Sequence, residues 1–507
     1  MPLSDAEKTH LKALIDRDEP LPLHYRDRLF AAEIALVWPD KTRPPAPEIP
    51  DLIVREQIGP CREGWVNRLL WGDNRLALAA LQGVLKEPLM AVGGVKLIYI
   101  DPPFASGLDF AVALRVGDTK VSQRAYRDGL ALDIYLGMMY ERLVLMREIL
   151  SDEGSIYVHC DWRVSAHLRL VMDEIFGRAQ FQNEICWAYR SQGAGRRRYA
   201  RKHDTILFYT KSDRWTFHPE TERSYMQHRY GFAKEDFKLD EAGRQYRDAL
   251  VRDVWEIPAL QSATRERWGY DTQKPEALLR RILACSSNPG DLVADFFCGS
   301  GTTLAVAQQL GRKWLGCDES PYALHTARKR LSSLSGFEIL HLVSSSGGGP
   351  APLSPGGIEL QPIVGVSPGG ESTVQIQLKG FYPAQPLASL EAVKASLKPG
   401  QQTLVVVEGQ GVRLHRPRQG ACTQKTLTHT WSDWIDYWAV DFTSEESTVF
   451  CCTWQSFRTR QQPALELTSR AYRYPKPGRY AITVQVIDLF GQETREVIRV
   501  DLTDVQG

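Results

Sequence analysis

Apolar runs that end in an acidic residue recur along the chain. Val95–Ile100 runs into Asp101, Ser155–Cys160 into Asp161, Leu292–Ala294 into Asp295, and Lys313–Cys317 into Asp318. Near-continuous apolar runs of this length predict strands buried on both faces, as in a parallel sheet. Between them lie stretches with helical spacing: Tyr135–Leu150, with Leu136, Tyr140, Leu143 and Met146 among its apolar positions, then Val164–Phe176, Ala277–Cys285, Leu304–Leu310 and Pro321–Leu331. Strands alternating with helices predict an α/β fold. An amphipathic helix is also expected at Asp5–Asp16. After residue 357 the period changes to two. Val374–Leu378, Tyr480–Ile487 and Val497–Val500 alternate, with Gly491–Thr494 placed as a hairpin turn, so a small β-sandwich is expected there.

The 507 residues exceed what one core usually supports. We divide them into an N-terminal helical arm (1–50), the first half of the sheet (51–180), an insertion (181–270), the second half (271–343), a Gly/Ser/Pro linker (344–357) and a β-rich C-terminal domain (358–507). Composition is that of an ordinary globular protein, 43% hydrophobic and 24% charged. Nine scattered cysteines with no Cys-x-x-Cys pair argue against a disulfide framework or a zinc site, and no metal is expected. The chain starts without a basic-then-apolar leader and has no run of membrane-spanning length, so a cytoplasmic protein without membrane contact is expected.

Net charge is only +1, but it is unevenly spread. From Trp187 to Trp215 there are eight basic residues, among them Arg190, Arg196, Arg197, Arg198, Arg201 and Lys202, against two acidic ones, with Tyr189, Tyr199 and Tyr209 interleaved. Such a run is either a solvated face or a phosphate-binding surface.

Two motifs carry chemistry. In Asp101-Pro102-Pro103-Phe104 the prolines lock φ and remove N–H donors at the end of a strand. What remains is a carboxylate, free carbonyls and one aromatic ring: acceptors for an NH2 group and a face for a planar base. The same turn could be a plain strand stop. In Asp295-Phe296-Phe297-Cys298-Gly299-Ser300-Gly301-Thr302-Thr303 a strand enters a Gly-x-Gly turn before a helix, and Asp318 follows at the end of the next strand, suited to ribose hydroxyls. A nucleoside cofactor is implied; the glycines alone leave nicotinamide and flavin open.

Together these motifs, in this order, resemble the amino-group DNA methyltransferases of the permuted β-class, similar to the type III modification subunits of restriction or phage-defence systems. The resemblance covers about residues 50 to 335. It implies a Rossmann-like sheet binding S-adenosyl-L-methionine, with 51–180 as the catalytic half, 271–343 as the cofactor half, and 181–270 as the target-recognition insertion contacting double-stranded DNA. It assigns catalysis to Asp101, Pro102, Pro103 and Phe104. Cofactor binding falls to Asp73 of Gly72-Asp73-Asn74, Lys274 of Thr272-Gln273-Lys274-Pro275, and Asp295, Phe296, Phe297, Gly299, Gly301, Thr302 and Asp318. An initial Asp before Pro-Pro resembles the adenine-N6 members; cytosine-N4 or RNA methylation, or a recognition subunit recruiting a nuclease or helicase, are the alternatives. Asp109 and Asp161 are further candidates near the site, Asp161 equally as a helix cap, and His159 is expected to be packed. The C-terminal domain is read as a docking or homodimerisation module, with DNA recognition as its rival.

Overall fold

The computed structural model describes residues 5–16, 35–39, 41–42, 48–60, 64–116, 119–189, 197, 199–225, 237–261, 264–334, 336–343, 356–383, 390–407, 410–444 and 449–503, with backbone alone for 5–8, 15 and 108–127. At its centre is an eleven-stranded mixed sheet. From one edge its order is Val254–Glu256, Phe181–Ala188, His203–Thr210, Leu150–Cys160, Val95–Ile100, Leu292–Asp295, Lys313–Asp318, Arg68–Trp71, Phe337–Val343, Asp51–Ile58 and Phe450–Cys452. The six strands from Leu150–Cys160 to Phe337–Val343 are mutually parallel.

Alternation along these strands explains their unbroken apolarity. Ile98 and Ile100, with Ile156, Val158 and Ala294, pack against Asn74–Gln82, Leu132–Ile149 and Ser165–Phe176 on one face. Leu97 and Tyr99, with Tyr157 and Val293, face Glu276–Ser286, Thr302–Gln309 and Pro321–Leu331 on the other. Both faces are covered, so a polar side chain there is costly unless it finds a partner. The expected helices are all present, with ends shifted by up to three residues.

Two regions differ from the sequence reading. No element was expected between Phe104 and Tyr135, where the structure has an antiparallel hairpin, Leu108–Val116 with Thr119–Asp128. Within 181–270, Phe181–Ala188, His203–Thr210 and Val254–Glu256 extend the central sheet, because their apolar side chains, Ile185, Trp187, Ile206, Phe208 and Trp255, join its core. Only Thr221–Ser224, Lys238–Leu239 and Gln245–Leu250 form a small sheet of their own.

The C-terminal region is β-rich, as its period-two pattern indicates. Gly357–Val366, Ser372–Tyr382 and Tyr472–Tyr474 form one sheet. Trp454–Phe457, Ile435–Asp441, Arg479–Asp488 and Glu493–Asp501 form another, and the two share a core that includes Val374, Ile376, Trp438 and Val484. The expected turn is there, with Ile487 paired to Glu493. A third sheet joins Gln402–Val407, Gln410–His415 and Thr423–Thr426.

This region is bound to the α/β part. Phe450–Cys452 pairs in parallel with Asp51–Ile58, and the helix Pro321–Leu331 is covered by the central sheet on one side and the C-terminal sheets on the other. The helix therefore buries its cations, each of which needs a partner. Arg328 donates to both oxygens of Glu56, at 3.0 and 2.5 Å, and Lys329 and His325 both reach Asp436, at 2.5 and 2.7 Å. Arg330 pairs with Glu276 at 2.6 Å. Most of the linker, 344–355, lies outside the described residues.

Candidate active site

At the carboxyl ends of the parallel strands lies a cavity of about 520 Å³, the size of a nucleoside-containing ligand. Its walls come from five separated segments, 72–74, 99–103, 270–274, 295–303 and 318–320, together with Asp128, Leu130, Met138 and Arg142.

The glycine turn is built around Asp295. This carboxylate accepts the Phe297 N–H at 3.0 Å on one oxygen and the Thr303 hydroxyl at 2.6 Å on the other, tying the strand end to the first turn of the helix Thr302–Gln309. Burial pushes its carboxyl up to about 7. Gly299 has φ 49°, and a Cβ there would lie 3.4 Å from the Tyr270 ring, filling the mouth of the turn. Gly301, at φ 71°, serves packing: a Cβ would meet that of Ala327 at 3.0 Å. It does not line the cavity, unlike Phe296, Phe297, Gly299 and Thr302.

Asp318 accepts the N–H groups of Gly299 and Ser320, both at 2.9 Å. Each oxygen keeps a second lone pair for a hydroxyl donor. Burial raises this carboxyl to about 6. Across the cavity, Asp73 caps the helix Asn74–Gln82 by accepting from the Arg75 N–H at 2.8 Å and pairs with Arg142 at 2.7 Å. Arg142 also donates to Asn74, whose amide donates to the Phe296 carbonyl at 2.8 Å. The turn before the helix is thus also a wall of the cavity.

Asp101 and Pro103 line the same cavity, whereas Pro102 is buried beneath it. One Asp101 oxygen is paired with the Lys274 ammonium; the other, Oδ1, is buried with no hydrogen-bond partner. Lys274 therefore lies beside the Asp101-Pro102-Pro103-Phe104 turn, 5.7 Å from the centre of the Phe104 ring. Phe104 stacks on His159 at 6.0 Å. His159 is buried, as expected, and joins a chain of groups: Tyr99 hydroxyl to Nδ1 at 2.8 Å, and Nε2 to Asp204 at 3.3 Å. Burial pushes the Asp204 carboxyl up, but the bond and charge of His159 and the charge of Lys274 outweigh it and hold it below its ordinary range. Asp161 accepts from the Arg163 N–H at 2.8 Å at the start of the next helix, a turn-forming role. The Asp109 side chain lies outside the described residues.

Of the basic run, Arg190, Arg196 and Arg198 lie outside the described residues. Arg197 and Arg201 are exposed and Lys202 is half-buried. Arg201 stacks on Trp162 at 3.2 Å, just beyond the end of the strand Leu150–Cys160. Tyr99, Asp128, Arg142 and Tyr270 also form the site and were not singled out from sequence, whereas Asn74 belongs to the Gly72-Asp73-Asn74 element read there. Only Asn74 and Tyr99 stand inside or beside a recognisable motif.

A doubly covered sheet with an acceptor-rich turn and a glycine turn opening into one cavity defines a nucleoside-cofactor enzyme of the α/β class. The DNA methylase family matches residues 95–329, from the strand before Asp101 to the helix after Asp318. The type II methyltransferase M.EcaI of Enterobacter cloacae is 31% identical, over 52% of this chain and 69% of that protein. M.HpaI of Haemophilus parainfluenzae is 30% identical, over 53% and 77%, and the DNA adenine methyltransferase YhdJ of Escherichia coli K12 is 27% identical, over 54% and 85%. The chain belongs to the DNA methylase family. Likeness to solved structures is distant: the M1.HpyAVI–SAM complex gives a TM-score of 0.35 at 18% identity, over 52% of this chain and 98% of that one.

Proposed function

We propose that this DNA methyltransferase transfers a methyl group from S-adenosyl-L-methionine to the N6 amine of an adenine flipped out of double-stranded DNA, as the modification component of a restriction or defence system. The observation that carries the reading is the Asp101 carboxylate: one buried oxygen without a partner, in the cavity that also holds the glycine turn. The wall residues fit the cofactor. Gly299 leaves room that a Cβ would fill, Asp318 has lone pairs for ribose hydroxyls, and the cavity volume suits a nucleoside. When bound, the cofactor supplies a methyl group activated by its positively charged sulfur.

The protein's work is to prepare the amine. An aromatic NH2 is a weak nucleophile because its lone pair is delocalised into the ring. Asp101 Oδ1 and the Pro102 carbonyl are acceptors that hold its N–H bonds out of plane and offset charge developing on nitrogen. Phe104, fixed from behind by His159, offers its face to the base. Extruding the base costs a few kcal/mol of unstacking, which binding must offset. Arg201, exposed and stacked on Trp162, is a cation available to backbone phosphates.

YhdJ is a DNA adenine methyltransferase by name, and the Asp before Pro-Pro favours adenine over cytosine-N4. We assign residues 358–507, which lie beyond the family match, to docking of a second copy or of a nuclease or helicase subunit, and place the enzyme in the cytoplasm with its DNA. Among the described residues no helix is long and apolar enough to cross a membrane. Incubating the protein with S-adenosyl-L-methionine and unmethylated phage DNA, then digesting to nucleosides for mass spectrometry, tests the reaction. N6-methyladenine is expected; N4-methylcytosine as the product would overturn the base assignment.

A further inference from the structure

Asp128 ends the unexpected hairpin and brings it back onto the catalytic turn. Its Oδ2 accepts the N–H groups of Phe104 and Ser106, both at 3.0 Å, and its backbone carbonyl accepts that of Gly107 at 2.6 Å. Between the two held amides is Ala105 with φ 51°, the only non-glycine residue with positive φ among the described residues. A left-handed alanine is strained and persists where surrounding contacts fix it. Here one carboxylate oxygen holds the amides on both sides of it, and so helps to set the backbone that carries the Phe104 ring.

The other oxygen has no such task. Asp128 Oδ1 is buried without a hydrogen-bond partner in a residue that is 1% exposed and lines the cavity. Asp101 Oδ1 is the only other cavity-lining oxygen in this condition among the described residues. The remaining acids at the glycine turn, Asp295 and Asp318, have both oxygens engaged by the chain. An unmet carboxylate acceptor in a buried site carries a desolvation penalty that a ligand N–H would relieve.

We propose that Asp128 is a second ligand-binding carboxylate of this site: through Oδ2 it positions Phe104, and through Oδ1 it accepts an N–H from an amine of the bound ligand. The inference rests on the function proposed above, which offers two such amines, the α-ammonium of S-adenosyl-L-methionine and the exocyclic NH2 of the target base.

Two substitutions separate the two oxygens. Asp128→Asn can keep a carbonyl oxygen toward the Phe104 and Ser106 amides while placing an NH2 donor where Oδ1 stood, whereas Asp128→Ala removes both. Hydrogen exchange at the 104 and 106 amides, calorimetry with S-adenosyl-L-methionine, and single-turnover methylation of unmethylated phage DNA at saturating cofactor are the readouts. The Asn variant should protect these amides as the wild type does, and the Ala variant should not. The Asn variant should lose about tenfold or more in cofactor affinity if the ammonium is the partner, or in single-turnover rate if the base amine is. An Asn variant equal to an active wild type in both, or an Ala variant with both amides still protected, overturns the inference. A wild-type chain that neither binds the cofactor nor methylates DNA overturns the proposed function instead.

Discussion

Lys274 and Asp101, 173 positions apart, form an ion pair at the floor of the cavity. The pair joins the two halves of the sheet at the point where the proposed reaction seats the amine. It leaves one Asp101 oxygen engaged and the other, Oδ1, unpartnered. Replacing Asp101 with Ala should abolish methyl transfer while cofactor affinity stays within about threefold, because the missing acceptor serves the amine. Calorimetry and a methylation assay on the folded variant check this; equal loss of both would place Asp101 in cofactor binding.

Asp318 makes a prediction about pH. Its carboxyl is raised to about 6, so the folded chain holds this proton more tightly than the unfolded one. Its contribution to stability is full below the ordinary carboxylate pKa of 3.8 and is lost as pH rises through about 6. Cofactor hydroxyls donate best to the ionised form, so S-adenosyl-L-methionine affinity should rise as pH increases through about 6 and then level. The change is about tenfold for each unit by which binding lowers the pKa. Asp318→Asn should bind more weakly with a flat profile between pH 5 and 7, about the span of the titration. A wild-type profile in the variant would remove Asp318 from the ribose site.

Arg328 and Glu56 are both almost wholly buried and bonded through two hydrogen bonds where the C-terminal sheets meet the central one. Arg328→Ala leaves Glu56 charged and buried, so unfolding free energy in urea should fall by about 3–5 kcal/mol. A loss below about 1 kcal/mol would put this pair in the class of solvent-screened surface bridges. Because Phe450–Cys452 also completes the sheet edge, a chain cut at Val343 should expose the apolar cover of the helix Pro321–Leu331 and aggregate.

Much of the site was legible because its chemistry sits at strand ends. An apolar run closed by Asp101, Asp295 or Asp318 announces both the buried strand and the acid at its carboxyl end, and Pro-Pro and Gly-x-Gly announce the turns. The hairpin ending at Asp128 was missed although Leu108, Phe110, Val112, Leu114 and Val116 alternate along its first strand, because the strand they pair with, Thr119–Asp128, is mostly polar. Arg142 was not legible either, because its role depends on partners brought together only by the sheet. The buried cations of Pro321–Leu331 mislead a local reading for the same reason: the partner of Lys329 lies 107 positions away.

The basic run predicts a salt effect. Replacing Arg196, Arg197, Arg198 and Arg201 with Ala should weaken DNA binding and flatten the log–log salt dependence by about 0.9 for each phosphate no longer neutralised. Fluorescence anisotropy over a salt series measures the slope. An unchanged slope would return these arginines to the role of a solvated face.

The central claim is that Asp101 prepares an adenine amine for methylation at a specific site. Its most direct test is sequencing, with detection of modified bases, of genomic DNA from a methylation-deficient host expressing the wild type or Asp101→Ala. The account predicts N6-methyladenine within one short recurring sequence in the wild-type sample and at background in the variant. Modified adenine that persists with Asp101→Ala, or modification confined to cytosine, would contradict it.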